Sequence, residues 1–278
     1  MYTYQNLLDD YNRLIHAGVG GGHIGESECG RMIPYLHLGS AGGPQIIIQG
    51  AIHAREWPTA KLIVCQIDAL RGADIGAGGI YFVPMSNPDG NAIVEGVQAP
   101  RAGFETGDPK LYKANVNGVD LNTNFDAQWG HGQHNVRIPA ASDYIGSAPF
   151  SERETRALAD FTRTVRPVFT LSYHAKGREV YYLFNQDHYS KVRDRKIAVC
   201  IAERLGYRLI EEWGGLGYPK VSCGGYKDWC IDTLGIPSVT VEIISDDYEH
   251  PLTDVALAPD VAVNLDLPLR ILEVLNYK

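Results

Sequence analysis

The chain lacks the cysteine pattern of a disulfide-bonded secreted domain or of a zinc ribbon. Its 278 residues contain five cysteines, which are odd in number and scattered without paired spacing: Cys29, Cys65, Cys200, Cys223 and Cys230. Neither a disulfide framework nor a structural zinc knuckle is therefore expected, and a reducing compartment is the simpler assumption.

An excess of basic residues and long apolar runs are also missing. The formal net charge of -8 argues against a nucleic-acid or anionic-membrane surface, although a locally basic pocket stays open. No segment is long and apolar enough to span a bilayer, so we expect no membrane partner. The first residues, from Met1 to Asp10, have neither a basic start nor an apolar run of signal-peptide length. We expect a cytoplasmic protein, and a processed mature form would look the same. Oligomeric state is not indicated.

The length and the 45% hydrophobic content favour one large domain over residues 1–278. Strands are predicted at 45–49, 80–83, 168–173, 180–184 and 238–244. Helices are predicted at 58–70, 151–165, 189–205, 226–234 and 253–275, the second opened by a capping box from Ser151 to Glu154. Residues 87–90 are predicted to form a turn. Residues 17–25 and 214–225 are predicted to form glycine-rich loops, and the loop at 214–225 is interpreted as a mobile lid. The alternation predicts an α/β fold with a mixed, mostly parallel twisted sheet and helices on both faces.

Three distant stretches supply two imidazoles and two carboxylates near the ends of predicted strands. They are Ile52-His53-Ala54-Arg55-Glu56, Ser172-Tyr173-His174 and Val239-Thr240-Val241-Glu242. A catalytic zinc ion usually keeps three protein ligands from His and Glu, and a further carboxylate can take a proton from the attacking water. In open α/β sheets, ligands bind at the carboxyl edge where strands end. We therefore interpret His53, Glu56 and His174 as zinc ligands and Glu242 as general base.

Each of these residues also has an ordinary interpretation. A His-x-x-Glu spacing alone is typical of a solvated helix face, and a histidine at a strand end is often a core residue bonded to backbone. Glu242, within an otherwise apolar strand, is harder to explain without a nearby cation or hydrogen-bond cluster. His131 and His134 form a rival pair, but their glycine-rich, polar surroundings favour a solvated loop.

A larger set of motifs resembles the zinc carboxypeptidases of the carboxypeptidase A type, peptidase family M14. The motifs follow the family's order from about residue 30 onward: His53-Ala54-Arg55-Glu56-Trp57, Asn87-Pro88-Asp89-Gly90, Gly118-Val119-Asp120-Leu121-Asn122-Thr123-Asn124-Phe125, Tyr144-Ile145-Gly146, Phe150-Ser151-Glu152-Arg153-Glu154, Ser172-Tyr173-His174 and Gly224-Gly225 before Glu242. The two-His, one-Glu zinc site is the known site of carboxypeptidase A.

The resemblance implies a role for several further residues. Lys113 stands where the family usually has an arginine that stabilises the developing oxyanion, and lysine can serve as a point charge with less geometric control. Arg55 and Asn122 match substrate-contacting positions, for which a surface or turn role is the alternative. The family's flexible tyrosine would fall at Lys220, with Tyr218 two residues away, so it is open whether Tyr218 substitutes for it.

The departures from the family pattern bear on the substrate. Digestive members carry an arginine between two asparagines that binds the C-terminal carboxylate of the substrate, whereas this chain has Thr123. The position that sets side-chain preference maps onto Lys227, and a cation there favours an anionic group. The alternative is a surface lysine paired with Asp228. Lys176 could add to the same positive field.

These departures look like the bacterial branch that cleaves γ-D-glutamyl-diaminopimelate bonds in cell-wall peptides. Meso-diaminopimelate carries a second carboxylate, and D-glutamate linked through its side chain has a free α-carboxylate. The resemblance therefore favours a zinc-dependent metallopeptidase that hydrolyses an amide bond next to an acidic residue in peptides or muropeptides. The alternatives are a metallocarboxypeptidase that releases acidic C-terminal residues from ordinary peptides, and a non-catalytic peptide-binding relative.

Overall fold

Buried strands with branched side chains form the centre of the molecule. The computed structural model describes residues 1–101, 103–104, 106–211 and 223–276. Within these ranges the strands are β1 (Gly20–Glu26), β2 (Met32–Gly39), β3 (Gln45–Gln49), β4 (Gly79–Val83), β5 (Phe169–Ala175), β6 (Glu179–Tyr181), β7 (Arg208–Ile210) and β8 (Ser238–Ile243). The helices are α1 (Tyr4–His16), α2 (Trp57–Leu70), α3 (Pro88–Glu95), α4 (Arg153–Val165), α5 (His188–Leu205), α6 (Tyr226–Asp232), α7 (Asp254–Asn264) and α8 (Leu267–Val274).

These eight strands form one mixed sheet in the order β1-β2-β4-β3-β5-β8-β6-β7. The central strands β4, β3, β5 and β8 are parallel, whereas β1 and β2 pair antiparallel at one end and β6 pairs antiparallel with β8. Every residue of β3 and β5 is buried, as expected for parallel strands covered on both faces. The predicted α/β class, with a mixed and mostly parallel sheet, is confirmed.

Helices cover both faces of the sheet. The larger core packs side chains of α1, α2, α5, α7 and α8, such as Leu7, Ile63 and Ile201, against Ile46 and Ile48 of β3. A second core packs α4 and α6, through residues such as Leu158 and Trp229, against Val83 of β4. None of the helices in the described ranges combines the length and apolar composition needed to cross a bilayer.

Several sequence-based boundaries were wrong. The predicted loop at residues 17–25 is largely the edge strand β1, and β2 and α1 had no prediction. The predicted turn at 87–90 is instead the start of α3, where the side chain of Asn87 accepts a hydrogen bond from Gly90 N. Ser151 does not cap α4, because its Oγ donates to Glu152 Oε1 and Glu152 is the cap residue. The predicted helix 253–275 is two helices, α7 and α8.

Candidate metal centre and active site

The loop from β3 to α2 brings two functional side chains to the carboxyl edge of the sheet. The chain leaves the buried strand at Gln49, and Pro58 sits in the first turn of α2, where its missing N–H costs nothing. His53 lies in this loop, and Glu56 occupies the cap position of α2 without making a side-chain cap hydrogen bond. The carboxylate of Glu56 is therefore available for another partner.

His174 reaches the same place from the neighbouring strand β5. Its Nδ1 lies 3.1 Å from Glu56 Oε2 and 3.2 Å from His53 Nδ1. His53 Nδ1 in turn lies 2.8 Å from Glu56 Oε1. All three residues are buried, and they form one of the two groups in the described chain whose geometry could hold a metal ion. The structure thus brings together the three residues that the sequence predicted as ligands.

The spacing and chemistry of this group fit zinc. Donor atoms bound tetrahedrally at about 2.0–2.1 Å from zinc lie about 3.3 Å apart, close to the separations of the His53, Glu56 and His174 atoms. Two imidazole nitrogens and a carboxylate that lie this close together are stabilised when a cation lies between them. Nε2 of His174 is buried without a hydrogen-bond partner among the described residues, so Nδ1 makes the polar contacts of that ring.

Asp120 orients His53 from outside this group. Its Oδ1 lies 3.3 Å from His53 Nε2, which selects the tautomer with the proton on Nε2 and leaves Nδ1 for a metal. Its Oδ2 lies 3.3 Å from Lys113 Nζ. Burial works to raise the pKa of Asp120, but the positive charges of Lys113 and His53 outweigh it and hold this pKa well below the usual range.

Glu242 stands directly opposite His174, because the two residues are register partners in the parallel pair β5–β8. Desolvation and the nearby negative charge of Glu56 raise the pKa of Glu242 to about 8 in the metal-free protein. A bound divalent cation would oppose that rise and favour the carboxylate. A carboxylate whose pKa can shift from above neutrality to below it is suited to take up a proton and release it again.

A cavity of about 220 Å³ adjoins the metal group. It is lined mainly by polar and charged side chains: His53, Lys113, Asp120, Asn122, Thr123, Asp143, His174, Tyr181, Lys227, Asp228, Thr240 and Glu242, together with Gly225. The predicted residues Lys113, Asn122, Lys227 and Glu242 therefore share one cavity with both histidines of the candidate metal group. A polar substrate in this cavity would lie beside the three residues that could hold a metal ion.

Lys227 occupies the cavity wall in a defined ion pair. Its Nζ donates to Asp228 Oδ1 at 2.6 Å and to the Leu183 carbonyl at 2.8 Å, and both charged side chains are buried. The sequence analysis gave a surface ion pair with Asp228 as the alternative to a pocket lysine. The pair is present, but its predicted surface location is wrong. Lys227 lies in the pocket and is paired there.

Thr123 and Asn122 line the cavity beside a short 3-10 helix at Leu121–Thr123. Thr123 Oγ1 donates to the carbonyl of Asp120 at 2.8 Å, and Asn122 Oδ1 accepts from Tyr226 N. The cavity wall therefore has an uncharged hydroxyl at the position where digestive family members have a guanidinium. Thr123 cannot bind a carboxylate through two parallel hydrogen bonds, as a guanidinium can.

Arg55 and Lys176 flank the metal group but do not line the cavity. Arg55 Nη1 donates to the Leu111 carbonyl at 3.3 Å. Lys176 pairs with Asp246 at 3.4 Å and with Glu249 at 3.8 Å, so it does not add directly to the field around Lys227. Tyr218 and Lys220, which the resemblance left open as the family's flexible tyrosine, and most of the predicted glycine-rich lid lie outside the described residues.

Other predicted or possible metal groups have simpler explanations. His131 and His134 are exposed and belong to neither of the two groups in the described chain that could hold a metal. The second of these groups consists of Glu28, Glu152 and Glu154. Its carboxylates already accept hydrogen bonds, for example Glu152 Oε2 from the side-chain amides of two asparagines, Asn115 and Asn117, at 2.8 Å.

Sequence reasoning missed Asp120, Tyr181, Asp228 and Thr240 as parts of the site. Asp120 lies inside a motif that the resemblance had identified, and its position two residues before Asn122 was the available signal. Tyr181 and Thr240 line the cavity because β6 and β8 are paired neighbours, with these two residues in register. That pairing is a long-range property with no local sequence signature.

Comparisons with known proteins found a related sequence and solved structures of similar fold. A γ-D-glutamyl-L-diamino acid endopeptidase 1 of Lysinibacillus sphaericus is 29% identical over 91% of this chain and 68% of its own length. The crystal structure of thrombin activatable fibrinolysis inhibitor superimposes with a TM-score of 0.81 at 19% identity, covering 99% of this chain and 77% of that one. Murein-tripeptide amidase MpaA from Escherichia coli O157 has a TM-score of 0.61 at 23% identity, covering 90% and 92%.

The two structural likenesses establish a shared fold. The family model described as zinc carboxypeptidase, peptidase M14, matches residues 4–265, which is most of the chain. That family consists of zinc-dependent hydrolases, and the chain contains a His-Glu-His group of the required kind. The chain therefore belongs to the zinc carboxypeptidase family and is a zinc metallopeptidase.

Proposed function

We propose that residues 1–278 form a single zinc peptidase domain that hydrolyses the γ-D-glutamyl-meso-diaminopimelate amide bond of peptidoglycan peptides. The observation that carries this proposal is the composition of the cavity beside the metal group. Lys227 and Asp228 lie together in its wall, and Thr123 stands where a carboxylate-binding arginine would serve a C-terminal exopeptidase. The name of the Lysinibacillus relative supports the same substrate class.

The charge pattern of the cavity supports a leaving residue that carries two opposite charges on its side chain. The distal end of meso-diaminopimelate has both an ammonium and a carboxylate. A wall that presents the cation of Lys227 next to the carboxylate of Asp228 can complement both charges, since opposite charges gain most where water is excluded. A simple acidic side chain would satisfy Lys227 but leave a substrate carboxylate close to Asp228.

In this proposal His53, Glu56 and His174 hold the zinc, which supplies a Lewis acid for the carbonyl and lowers the pKa of a water molecule. Glu242 takes the proton of the attacking water and passes it to the departing amine. Lys113 Nζ donates to the developing oxyanion as a point charge, and Asp120 holds both Lys113 and His53 in place. Arg55, Asn122 and Lys227 contact the substrate.

The test is a side-by-side assay of the tripeptide L-alanyl-γ-D-glutamyl-meso-diaminopimelate and of ordinary peptides that end in glutamate, with products weighed by mass spectrometry. We expect release of meso-diaminopimelate and little release of glutamate. Glutamate release from the ordinary peptide, with the tripeptide untouched, would support the acidic-residue carboxypeptidase instead.

A second comparison separates an enzyme from a binding protein that uses the same groove. We expect turnover to fall below detection after zinc chelation, to return when zinc is restored, and to fall by a factor of about 10³ or more in Glu242→Gln, which keeps the shape but cannot take a proton. Asp143→Asn, which also removes a cavity carboxylate, is the matched control. Equal turnover of the native, chelated and Glu242→Gln proteins would refute hydrolysis at this site.

A further inference from the structure

A row of polar side chains crosses the sheet beside the metal group. Gln49 of β3 is the register partner of Ser172 of β5, and Ser172 is the register partner of Thr240 of β8. Register partners project from the same face of a sheet, and Thr240 lines the cavity. The neighbours Ile48 and Tyr173 instead face the larger core on the opposite side. Gln49 and Ser172, here called the polar pair, therefore lie on the face of the sheet that carries the cavity.

His174 projects from the same face, because it follows Ser172 by two residues in β5. Alternate residues of a strand have Cα atoms about 6–7 Å apart, so their side chains are neighbours. Nδ1 of His174 lies 3.1 Å from Glu56 Oε2 and 3.2 Å from His53 Nδ1. The other ring nitrogen, Nε2, points away from the atoms that Nδ1 contacts. A partner for Nε2 must therefore come from outside the metal group.

Three polar atoms in this region have unused hydrogen-bonding capacity. Gln49 Nε2, Ser172 Oγ and His174 Nε2 have no hydrogen-bond partner within the part of the chain that the structure describes. The three residues are only 0%, 1% and 2% exposed, so bulk water does not reach these atoms freely. A buried polar group without a partner costs free energy and is rare in native proteins. Three such groups at adjacent positions of one sheet face indicate that they form hydrogen bonds with one another.

The donors and acceptors of these groups complement one another. A histidine that binds zinc through Nδ1 carries its proton on Nε2, and that N–H group needs an acceptor. Ser86 Oγ donates to Gln49 Oε1 at 3.0 Å, which leaves the NH2 group of Gln49 as a donor. Ser86 follows β4, and β3 lies between β4 and β5, so this NH2 group can face the β5 side. The Ser172 hydroxyl has two lone pairs, and it can accept from both Gln49 and His174.

We infer that Ser172, held by Gln49, is a positioning residue that fixes the ring orientation and the tautomer of His174 through its Nε2 atom. This inference rests on the proposed assignment of His174 as a zinc ligand. The contact forms directly after a rotation of the Ser172 side chain, or through one water molecule, which is nearly as favourable as a direct hydrogen bond. Asp120 acts in the same way on Nε2 of His53. Both histidines are thus held from the side of the ring that is turned away from the metal.

The zinc affinity of the whole chain, measured by competition with a chromophoric chelator, tests this role. We expect Ser172→Ala to lower the affinity about tenfold, the lower end of the loss that follows removal of a partner of a ligating histidine. Ser172→Thr keeps the hydroxyl and should retain most of the affinity. Gln49→Met should lower the affinity less than Ser172→Ala. Combining the two changes should cause no further loss, because Gln49 acts through Ser172.

Two further measurements separate positioning of the ligand from a general loss of structure. The visible absorption spectrum of the cobalt-substituted protein reports the geometry of the ligands, and it should change in Ser172→Ala but not in Ser172→Thr. The Tm of the metal-free protein should be unchanged or higher in Ser172→Ala, because the change removes a buried hydroxyl that has no described partner. The rise in Tm on addition of zinc should be smaller in this variant than in the native protein.

Thr170→Val is the matched control. Thr170 lies two residues before Ser172 on the same face of β5, and its Oγ1 already donates to Ser238 Oγ at 2.6 Å. This variant should lower the metal-free Tm and leave the zinc affinity and the cobalt spectrum unchanged. Native zinc affinity in Ser172→Ala, or an equal loss of affinity in Thr170→Val, would overturn the positioning role. Native zinc affinity in His174→Ala would instead refute the ligand assignment on which the inference rests.

Discussion

Replacing Asp120 by asparagine should weaken either zinc binding or transition-state stabilisation, because one carboxylate serves both and an amide can serve only one of them. Asp120 Oδ1 lies 3.3 Å from His53 Nε2, and Oδ2 lies 3.3 Å from Lys113 Nζ. Both oxygens also accept backbone hydrogen bonds, from Asn122 N at 3.0 Å and Asp143 N at 3.3 Å. An asparagine keeps the shape but has one oxygen. Whichever way the amide turns, its NH2 group must face a donor.

The magnitude follows from which donor is left without a partner. If the amide oxygen stays on His53, the NH2 group meets the ammonium of Lys113, and zinc affinity is kept while oxyanion stabilisation suffers. If the amide turns round, the NH2 group meets His53 Nε2 and favours the tautomer that cannot present Nδ1. Loss of a carboxylate that orients a ligating histidine typically costs 10–100-fold in metal affinity or activity. For Asp120→Asn we therefore expect a loss of about 10–100-fold in zinc affinity, or in kcat at saturating zinc.

Zinc affinity is measured by competition with a chromophoric chelator, and kcat is measured on zinc-saturated enzyme. Asp143→Asn is the control, because Asp143 lies 4.0 Å from Lys113 with its side chain 40% exposed and makes no described contact with His53. It should change zinc affinity little. If Asp120→Asn bound zinc and turned over like the native enzyme, or if Asp143→Asn lost the same affinity, the assigned role of Asp120 would be wrong.

Three further outcomes follow from the site and its surroundings. Zinc binding should release protons, because the charges of Glu56 and Asp120 outweigh burial and raise the pKa of His53 to about 9 in the metal-free chain. The affinity for zinc should therefore rise with pH up to about 9. Calorimetry in buffers of different ionisation enthalpy measures the proton release, and finding none would contradict this prediction. Lys113→Met should lower kcat by roughly 10²–10³ with a smaller change in KM, and Lys113→Arg should keep more of the rate; steady-state kinetics showing a change in KM alone would exclude oxyanion stabilisation. Burial raises the pKa of Glu154 to about 8, so its contribution to stability is full below its ordinary pKa of 4.5 and is lost as the pH rises through 8. The Tm of Glu154→Gln should thus fall less between pH 5 and pH 9 than that of the native protein, and an equal fall would contradict a buried, protonated Glu154.

The candidate metal ligands could be predicted because they lie at or just beyond the ends of strands with strong local signals. The run Ile46-Ile47-Ile48 is buried throughout, and His53 and Glu56 lie between it and a helix that Pro58 helps to begin. His174 lies within β5, one residue before its end, and Glu242 pairs with it across β8. Parallel strands bring such positions to one edge without any knowledge of detailed packing.

The elements that sequence reasoning missed have weak local signals. β1 begins with three glycines, Gly20 to Gly22, which favour a loop on propensity, yet it pairs with β2 at the edge of the sheet. The motif at Asn87 has the composition of a turn, but the same side chain that favours turns caps α3. Ser151 has capping-box spacing to Glu154, but its hydroxyl binds the adjacent Glu152 instead.

The electrostatic parts of the site could not be predicted because they depend on contacts between distant segments. Asp120 acquires its role by approaching His53, 67 positions earlier in the chain. The sequence predicted Lys227 as a pocket cation. The structure was needed to show that it is buried in an ion pair with Asp228 in the cavity wall.

Anomalous X-ray scattering at the zinc edge, on crystals of the native protein and of His174→Ala, tests the central claim most directly. The native protein should show one strong peak within about 2.0–2.2 Å of His53 Nδ1, His174 Nδ1 and a Glu56 carboxylate oxygen. The peak should be lost or strongly reduced in His174→Ala. A zinc ion bound elsewhere in the native protein, or an unchanged peak in the variant, would contradict the assignment of these three residues as the catalytic metal site.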